Sequence, residues 1–221
     1  MTPAISKASV KDRSQMHAPR APVQQRSRQR FEKILRAAED VVTDVGVAST
    51  TLYMVAERAG MSPSTVYRFF PTRYAIFAAL AQRFYEDAVP FFEHYFEGRR
   101  IRNWSKIIDL VVDASVKYAN TYPLERQIIQ GDFTSRETRL AGVQMLDDVG
   151  GLLAEQFRLR YIVPKSIPLD ELMNCAMNMI NAMLVLSLEK HGKITNFYRD
   201  QASLAVTAFL KSHVGEGFSR R

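Results

Sequence analysis

From residue 25 onward the apolar positions of this chain recur at helical spacing. Phe31, Ile34, Leu35, Ala38, Val41 and Val42 form one stripe that stops at Gly46, which predicts a helix over 27–45. Leu52, Val55, Ala56 and Ala59 fall at i, i+3, i+4 and i+7 and predict a short helix over 52–59. Thr51 can cap its start through a side-chain oxygen, and Gly60 supplies the positive φ that commonly ends a helix. Ser62 is a second cap, and Pro63 suits the first helical position, where its missing N–H costs nothing. A third helix over 63–70 is stopped by Pro71, and Thr72 caps a fourth. Two short helices joined by a glycine-containing turn make a helix-turn-helix.

The remainder also reads as helical. Tyr74 to Phe96 is rich in aromatics, with Pro90 marking a kink or a break. Ile107, Leu110, Val111, Ala114 and Tyr118 share one face between Asn103 and Tyr122. A short segment from Pro123 to Gly131 is followed by a long one from Thr134 to Tyr161, with Gly150 and Gly151 inside it. Pro164 and Pro168 bracket a loop, and two apolar helices, Pro168–His191 and Thr195–Val214, are separated by Gly192. No run alternates with period two between turn signals, so no strand is expected. The pattern predicts an all-α protein of about nine helices. Its parts are a mobile basic arm over 1–24, rich in Pro, Ser, Ala and Arg, a helix-turn-helix domain over 25–72, and a larger helical domain over 73–221.

Charge sharpens this picture. The 221 residues carry a formal net charge of +7, of which +6 lies in residues 1–80, with 12 Lys and Arg against 6 Asp and Glu. A basic excess around a short two-helix motif is the footprint of a polyanion partner. A single cysteine, Cys175, excludes an intramolecular disulfide and fits a reducing, cytoplasmic setting; its apolar helical surroundings predict a packed thiol. No N-terminal apolar segment suggests export. The run from Leu172 to Leu188 contains Asn174, Asn178 and Asn181 and is short and polar for a bilayer span, so no membrane partner is expected. His17, His94, His191 and His213 are scattered, and no spacing suggests a metal site, a cofactor or a catalytic set, so an enzyme is not expected.

The sequence from Arg30 to about Leu80 resembles the tetracycline-repressor (TetR) family of bacterial regulators. The resemblance rests on Ile34-Leu35, Ala37-Ala38, Gly46, Thr50-Thr51, Val55-Ala56, Ala59-Gly60, Ser62, Ser64-Thr65-Val66-Tyr67, Phe69-Phe70-Pro71 and Arg73. It covers roughly a quarter of the chain. Pro63 stands where the family varies, Ser64 where it often has Gly, and Arg73 where it often has Lys. The resemblance implies a homodimer on a palindromic double-stranded operator, a repressor released when a small-molecule effector enters a larger ligand-binding and dimerisation domain.

Candidate DNA-binding residues are Thr50, Thr51, Tyr53, Ser62, Pro63, Ser64, Thr65, Tyr67, Arg68 and Arg73. Tyr67 carries a hydroxyl that can reach a phosphate. Thr51 and Arg73 sit at helix starts, where free N–H groups favour anions. Ser62, Pro63, Ser64 and Arg68 lie where base edges would be met, and Arg68 can donate twice to guanine. Tyr53 is placed to touch the backbone or a thymine methyl. Thr51 and Ser62 also serve as caps with no DNA present; Tyr67 has a packing alternative and Arg68 a solvated one, while Val66 and Phe69 read as core. The arm's Arg20, Arg26, Arg28 and Arg30 either enter a minor groove or form a solvated tail. Aromatics of the middle helices, Phe91, Tyr95, Trp104, Tyr118, Tyr122 and Phe133, are candidate linings of an apolar effector pocket, and the absence of clustered charge there favours a neutral or aromatic effector. In the last two helices the wide apolar faces suggest a subunit interface, with burial in a monomer core as the alternative; the family places the interface in a four-helix bundle. Its candidates are Met177, Asn178, Asn181, Leu184, Ala205 and Phe209, with the two asparagines fixing register through buried hydrogen bonds.

Overall fold

The computed structural model describes residues 25–99, 101, 103–130, 135–214 and 219–220. The arm over 1–24 and Phe133 lie outside the described residues. In chain order the helices are α1 (Gln25–Ser49), α2 (Leu52–Ala59), α3 (Pro63–Phe69), α4 (Arg73–Phe96), α5 (Ser105–Thr121), α6 (Pro123–Gln130), α7 (Arg136–Arg160), α8 (Leu169–His191) and α9 (Asn196–Val214). The all-α expectation holds, with one addition. Two-residue strands β1 (Tyr161–Ile162) and β2 (Ser219–Arg220) pair antiparallel, Tyr161 opposite Arg220. A pairing this short leaves no alternation for a sequence pattern to show.

The chain forms two compact units. The first holds residues up to Phe84 together with Pro123–Gly142; the second holds Tyr85–Tyr122 and the chain from Val143 onward. The first division thus falls inside α4, beyond the boundary expected at 72, and a later segment joins the first unit. Its core takes Ile34, Leu35, Ala38, Val41 and Val42 from α1, the predicted stripe of α2, and Val66, Phe69 and Phe70 around α3. Phe31 packs against Phe70 with ring centroids 4.8 Å apart and the rings tilted by 32°. Ile76, Phe77 and Leu80 of α4 and Ile128 of α6 complete it.

α1 is broken at Gly46 (φ 80°, ψ 162°), where the sequence pattern ends the helix. α4 runs through Pro90 without ending there. Pro90 is exposed, on the side of the helix where a proline ring meets solvent and not the core.

In the second unit α5, α8 and α9 pack together around Ile107, Ile108, Val111, Met173, Ala176, Ile180, Ala202 and Val206. Arg199 of α9 donates to Asp113 of α5 at 2.6 Å, and the Ser203 hydroxyl donates to Asp109 at 2.6 Å. α8 is long and apolar enough, by length and composition alone, to cross a membrane. Its inner stripe (Leu172, Met173, Ala176, Met177, Ile180 and Leu184) is spent on this core. Met177 and Leu184 therefore face inward within one chain and are not on an open surface. Phe209 packs partly against the same core. The outward side of α8 and α9 instead presents Cys175, Asn178, Ala182 and Leu186, then Leu204 and Ala208. Cys175 is exposed, contrary to the packed thiol expected from its neighbours. Asn178 is exposed too, and its side-chain amide donates to the Asn174 carbonyl of its own helix at 2.9 Å.

Candidate nucleic-acid interface

The helix-turn-helix is assembled by local rules. Thr51 Oγ1 accepts from the Met54 N–H at 3.2 Å and starts α2. Gly60 adopts φ 61°, its N–H donates to Glu57 at 3.0 Å, and the Met61 N–H donates to Ala56 at 3.0 Å. This paired closure satisfies two carbonyls that a helix end would leave open. Ser62 Oγ accepts from the Thr65 N–H at 3.3 Å, Pro63 occupies the first turn, and the Phe70 N–H closes α3 on Val66 at 2.9 Å.

These caps fix which side of α3 looks out. Val66 and Phe69 point into the core, as their spacing predicts. Pro63, Ser64, Tyr67 and Arg68 are exposed, as are Ser62, Thr51 and Tyr53. Tyr67 is 50% exposed and Tyr53 65%, which is high for rings of this size on a folded surface. The Arg68 guanidinium lies 5.5 Å from the centre of the Phe69 ring. The Ser62 hydroxyl is shared: it lies 3.1 Å from Ser64 Oγ and 2.8 Å from Thr65 Oγ1.

Three candidates are placed differently from the rest. Thr50 is buried, and its hydroxyl donates to the Gly46 carbonyl at 2.8 Å, so it staples the turn between α1 and α2 instead of facing out. Thr65 is half-buried, with its hydroxyl on Ser62. Arg73 turns back on the protein: Nη1 donates to the Ala48 carbonyl at 3.1 Å, and the guanidinium sits 5.2 Å from the Tyr74 ring centre. Arg58, which the sequence did not single out, pairs with Asp44 at 2.5 Å and with Asp40 at 3.9 Å. The hydrogen bond that Arg58 donates to the Asp44 carboxylate raises its guanidinium above the ordinary arginine range. Its charge is thereby balanced by α1.

In the second unit, four of the candidate pocket aromatics converge. Phe91 lies 5.2 Å from Tyr118 and 6.3 Å from Tyr122, Tyr118 and Tyr122 are 4.7 Å apart, and Phe91 stacks on Tyr95 at 6.4 Å. Trp104 is not with them; it is buried against Phe157 at 6.3 Å. An open groove of about 440 Å³ lies elsewhere in this unit, between α4 and α7. Glu86, Glu93, Asp147, Asp148 and Glu155 line it, with Tyr85 donating to Asp148. That bond raises the Tyr85 phenol above its usual range. No clustered charge was expected in the middle helices. Spacings of seven between Glu86 and Glu93 and between Asp148 and Glu155 were the available signal.

Residues 34–80 match the family described as bacterial regulatory proteins, tetR family. An uncharacterized HTH-type transcriptional regulator of Mycobacterium tuberculosis (strain ATCC 25618 / H37Rv) is 48% identical over 48 residues, 22% of this chain and 25% of that protein. The match thus spans a quarter of the relative's length. Over most of the chain the likeness is one of fold. A TetR-family transcriptional regulator from Streptomyces coelicolor superposes with a TM-score of 0.64 at 21% identity, covering 83% of this chain and 99% of the other. SmeT, the repressor of the Stenotrophomonas maltophilia multidrug efflux pump SmeDEF, superposes at 0.58 with 20% identity, over 84% and 91% of the two chains; a SmeT–triclosan complex is also similar, at 0.58 with 18% identity over 86% and 93%. Residues 34–80 thus carry the helix-turn-helix segment of the tetR family of bacterial regulatory proteins, and most of the chain shares the helical fold of solved members of that family.

Proposed function

We propose that this protein is a cytoplasmic, sequence-specific DNA-binding regulator of transcription, a repressor that holds a palindromic operator as a homodimer and releases it on binding a small molecule. The observation that carries the reading is the sidedness of α3. Its apolar residues Val66 and Phe69 are fully used by the core, leaving Pro63, Ser64, Tyr67 and Arg68 exposed on a short capped helix. A helix of this kind fits the major groove, with phosphate contacts fixing register and side chains on its exposed surface reading bases. The +6 excess of residues 1–80 supplies the long-range attraction.

The outward surface of α8 and α9 supports the homodimer, since Leu186, Leu204 and Ala208 gain nothing from exposure. Effector binding is assigned to the second unit, where Phe91, Tyr95, Tyr118 and Tyr122 form an aromatic wall with polar tips. SmeT binding triclosan, an aromatic molecule, accords with that assignment.

The test is selection of bound duplexes from a random DNA pool, followed by a salt titration on the best-bound duplex. A preferred palindrome bound with a steep fall of affinity in salt is expected. Binding without sequence preference would make this a DNA-packaging protein, and no binding at low salt would end the reading altogether.

A further inference from the structure

We propose that Arg73 is a positioning residue that clamps the connector between α1 and α2, rather than a phosphate ligand as its place at the start of α4 suggests. The consequence for DNA rests on the function proposed above; the clamp itself does not.

The connector runs from the break at Gly46 to the cap at Thr51, and everything that α2 presents depends on where it lies. It is tied at two points. Thr50 Oγ1 holds Gly46 from within, and Arg73 Nη1 holds the Ala48 carbonyl from a position 25 residues further along the chain. The carbonyls of a last helical turn lack intrahelical donors, so the Ala48 oxygen is a natural acceptor for a charged N–H. The other arm of the guanidinium, Nη2, donates to the Tyr74 hydroxyl at 3.4 Å, and the guanidinium carbon lies over the Tyr74 ring at 5.2 Å from its centre. Tyr74 in turn meets Phe77 edge-on at 6.4 Å, and Phe77 is fully buried. A continuous chain of contacts therefore runs from the core through Tyr74 and Arg73 to the connector. Only a planar fork can donate to a carbonyl and lie on a ring at once, so lysine would keep the charge and lose the arrangement.

The experiment compares wild type, Arg73→Met and Arg73→Lys. Amide exchange is followed in the free protein, and binding is measured on the best-bound duplex from a random pool, at a temperature where circular dichroism shows each variant folded. The clamp predicts that amides over 47–51 exchange about tenfold faster in both variants, the size expected for one lost charge-assisted hydrogen bond. It predicts weaker DNA binding by Arg73→Met with the slope of affinity against salt unchanged. A phosphate ligand gives the opposite: unchanged exchange at the connector, and a salt slope lowered by about one in Arg73→Met. Either of those results overturns the proposal. If Arg73→Met does not fold, Arg73→Lys decides by exchange alone. If wild type prefers no duplex, the functional reading fails while the exchange measurement still upholds or overturns the clamp.

Discussion

Arg68 is where base discrimination should concentrate, because its guanidinium is exposed on α3 and can make two bonds to one guanine edge. Replacing it with alanine should cost roughly 1–3 kcal/mol on the preferred duplex and much less on random DNA. Competition titrations read this directly, and equal losses on both duplexes would remove Arg68 from the base-reading set. Tyr67→Phe should weaken every duplex alike, since a hydroxyl on phosphate carries no sequence information. The caps Thr51 and Ser62 were legible from the sequence because their partners, Met54 and Thr65, lie three residues away. Arg73 was not legible in the same way. Its acceptor at Ala48 is distant in sequence, and the residue type alone fits a phosphate as well as a carbonyl. Thr50 misled for a different reason: beside an exposed cap, a buried threonine looks the same in one dimension.

Among the elements, the turn that ends α2 depends on backbone conformation more than on space. A Cβ at Gly60 would meet nothing closer than Lys33 Nζ at 4.0 Å, yet φ is 61°. Gly60→Ala should therefore destabilise the first unit by about 1–2 kcal/mol, the cost of left-handed backbone for an L side chain. Urea denaturation would measure it, and a neutral result would show that the turn relaxes. In the second unit, Arg158 near the end of α7 holds Asp170 in the first turn of α8 at 2.5 Å. The arginine hydrogen bond lowers the Asp170 carboxyl below its usual range. A carboxyl lowered by folding contributes stability that is present above its unfolded pKa and is lost as pH falls through the folded one. Both side chains are about half exposed, so the bridge is worth about 0–1 kcal/mol. Asp170→Asn should thus differ slightly from wild type at neutral pH, with the difference vanishing in acid. A gap that persisted in acid would assign the effect to something other than ionisation. Pro90 shows the limit of reading elements from sequence: a proline signals a break, but an exposed position in a long helix tolerates one.

For the whole molecule, the proposed homodimer can be tested separately from folding through the two faces of α8 and α9. Leu204 is 63% exposed, so Leu204→Glu should leave the monomer's stability within about 0.5 kcal/mol while abolishing the proposed dimer. Met177→Ala, inside the core, should cost about 2–5 kcal/mol. Sedimentation paired with thermal melting distinguishes them, and a wild-type monomer at micromolar concentration would refute the interface. Sequence spacing puts Met177 and Leu184 on either face, because these helices are apolar nearly all round and periodicity cannot say which stripe faces inward. The helix count and the DNA-reading end were legible, since caps and stripes there are local; pairings at long range were not. One such pairing bears on how the protein is made. Ile128, 2% exposed, fills the core of the first unit, which takes in Pro123–Gly142. A nascent chain that has emerged only as far as Phe84 therefore has an unfilled hydrophobic site in its helix-turn-helix unit. Ile128 reaches that site only once α6 has emerged, so a chain truncated before α6 should melt at a lower temperature and compete poorly for DNA.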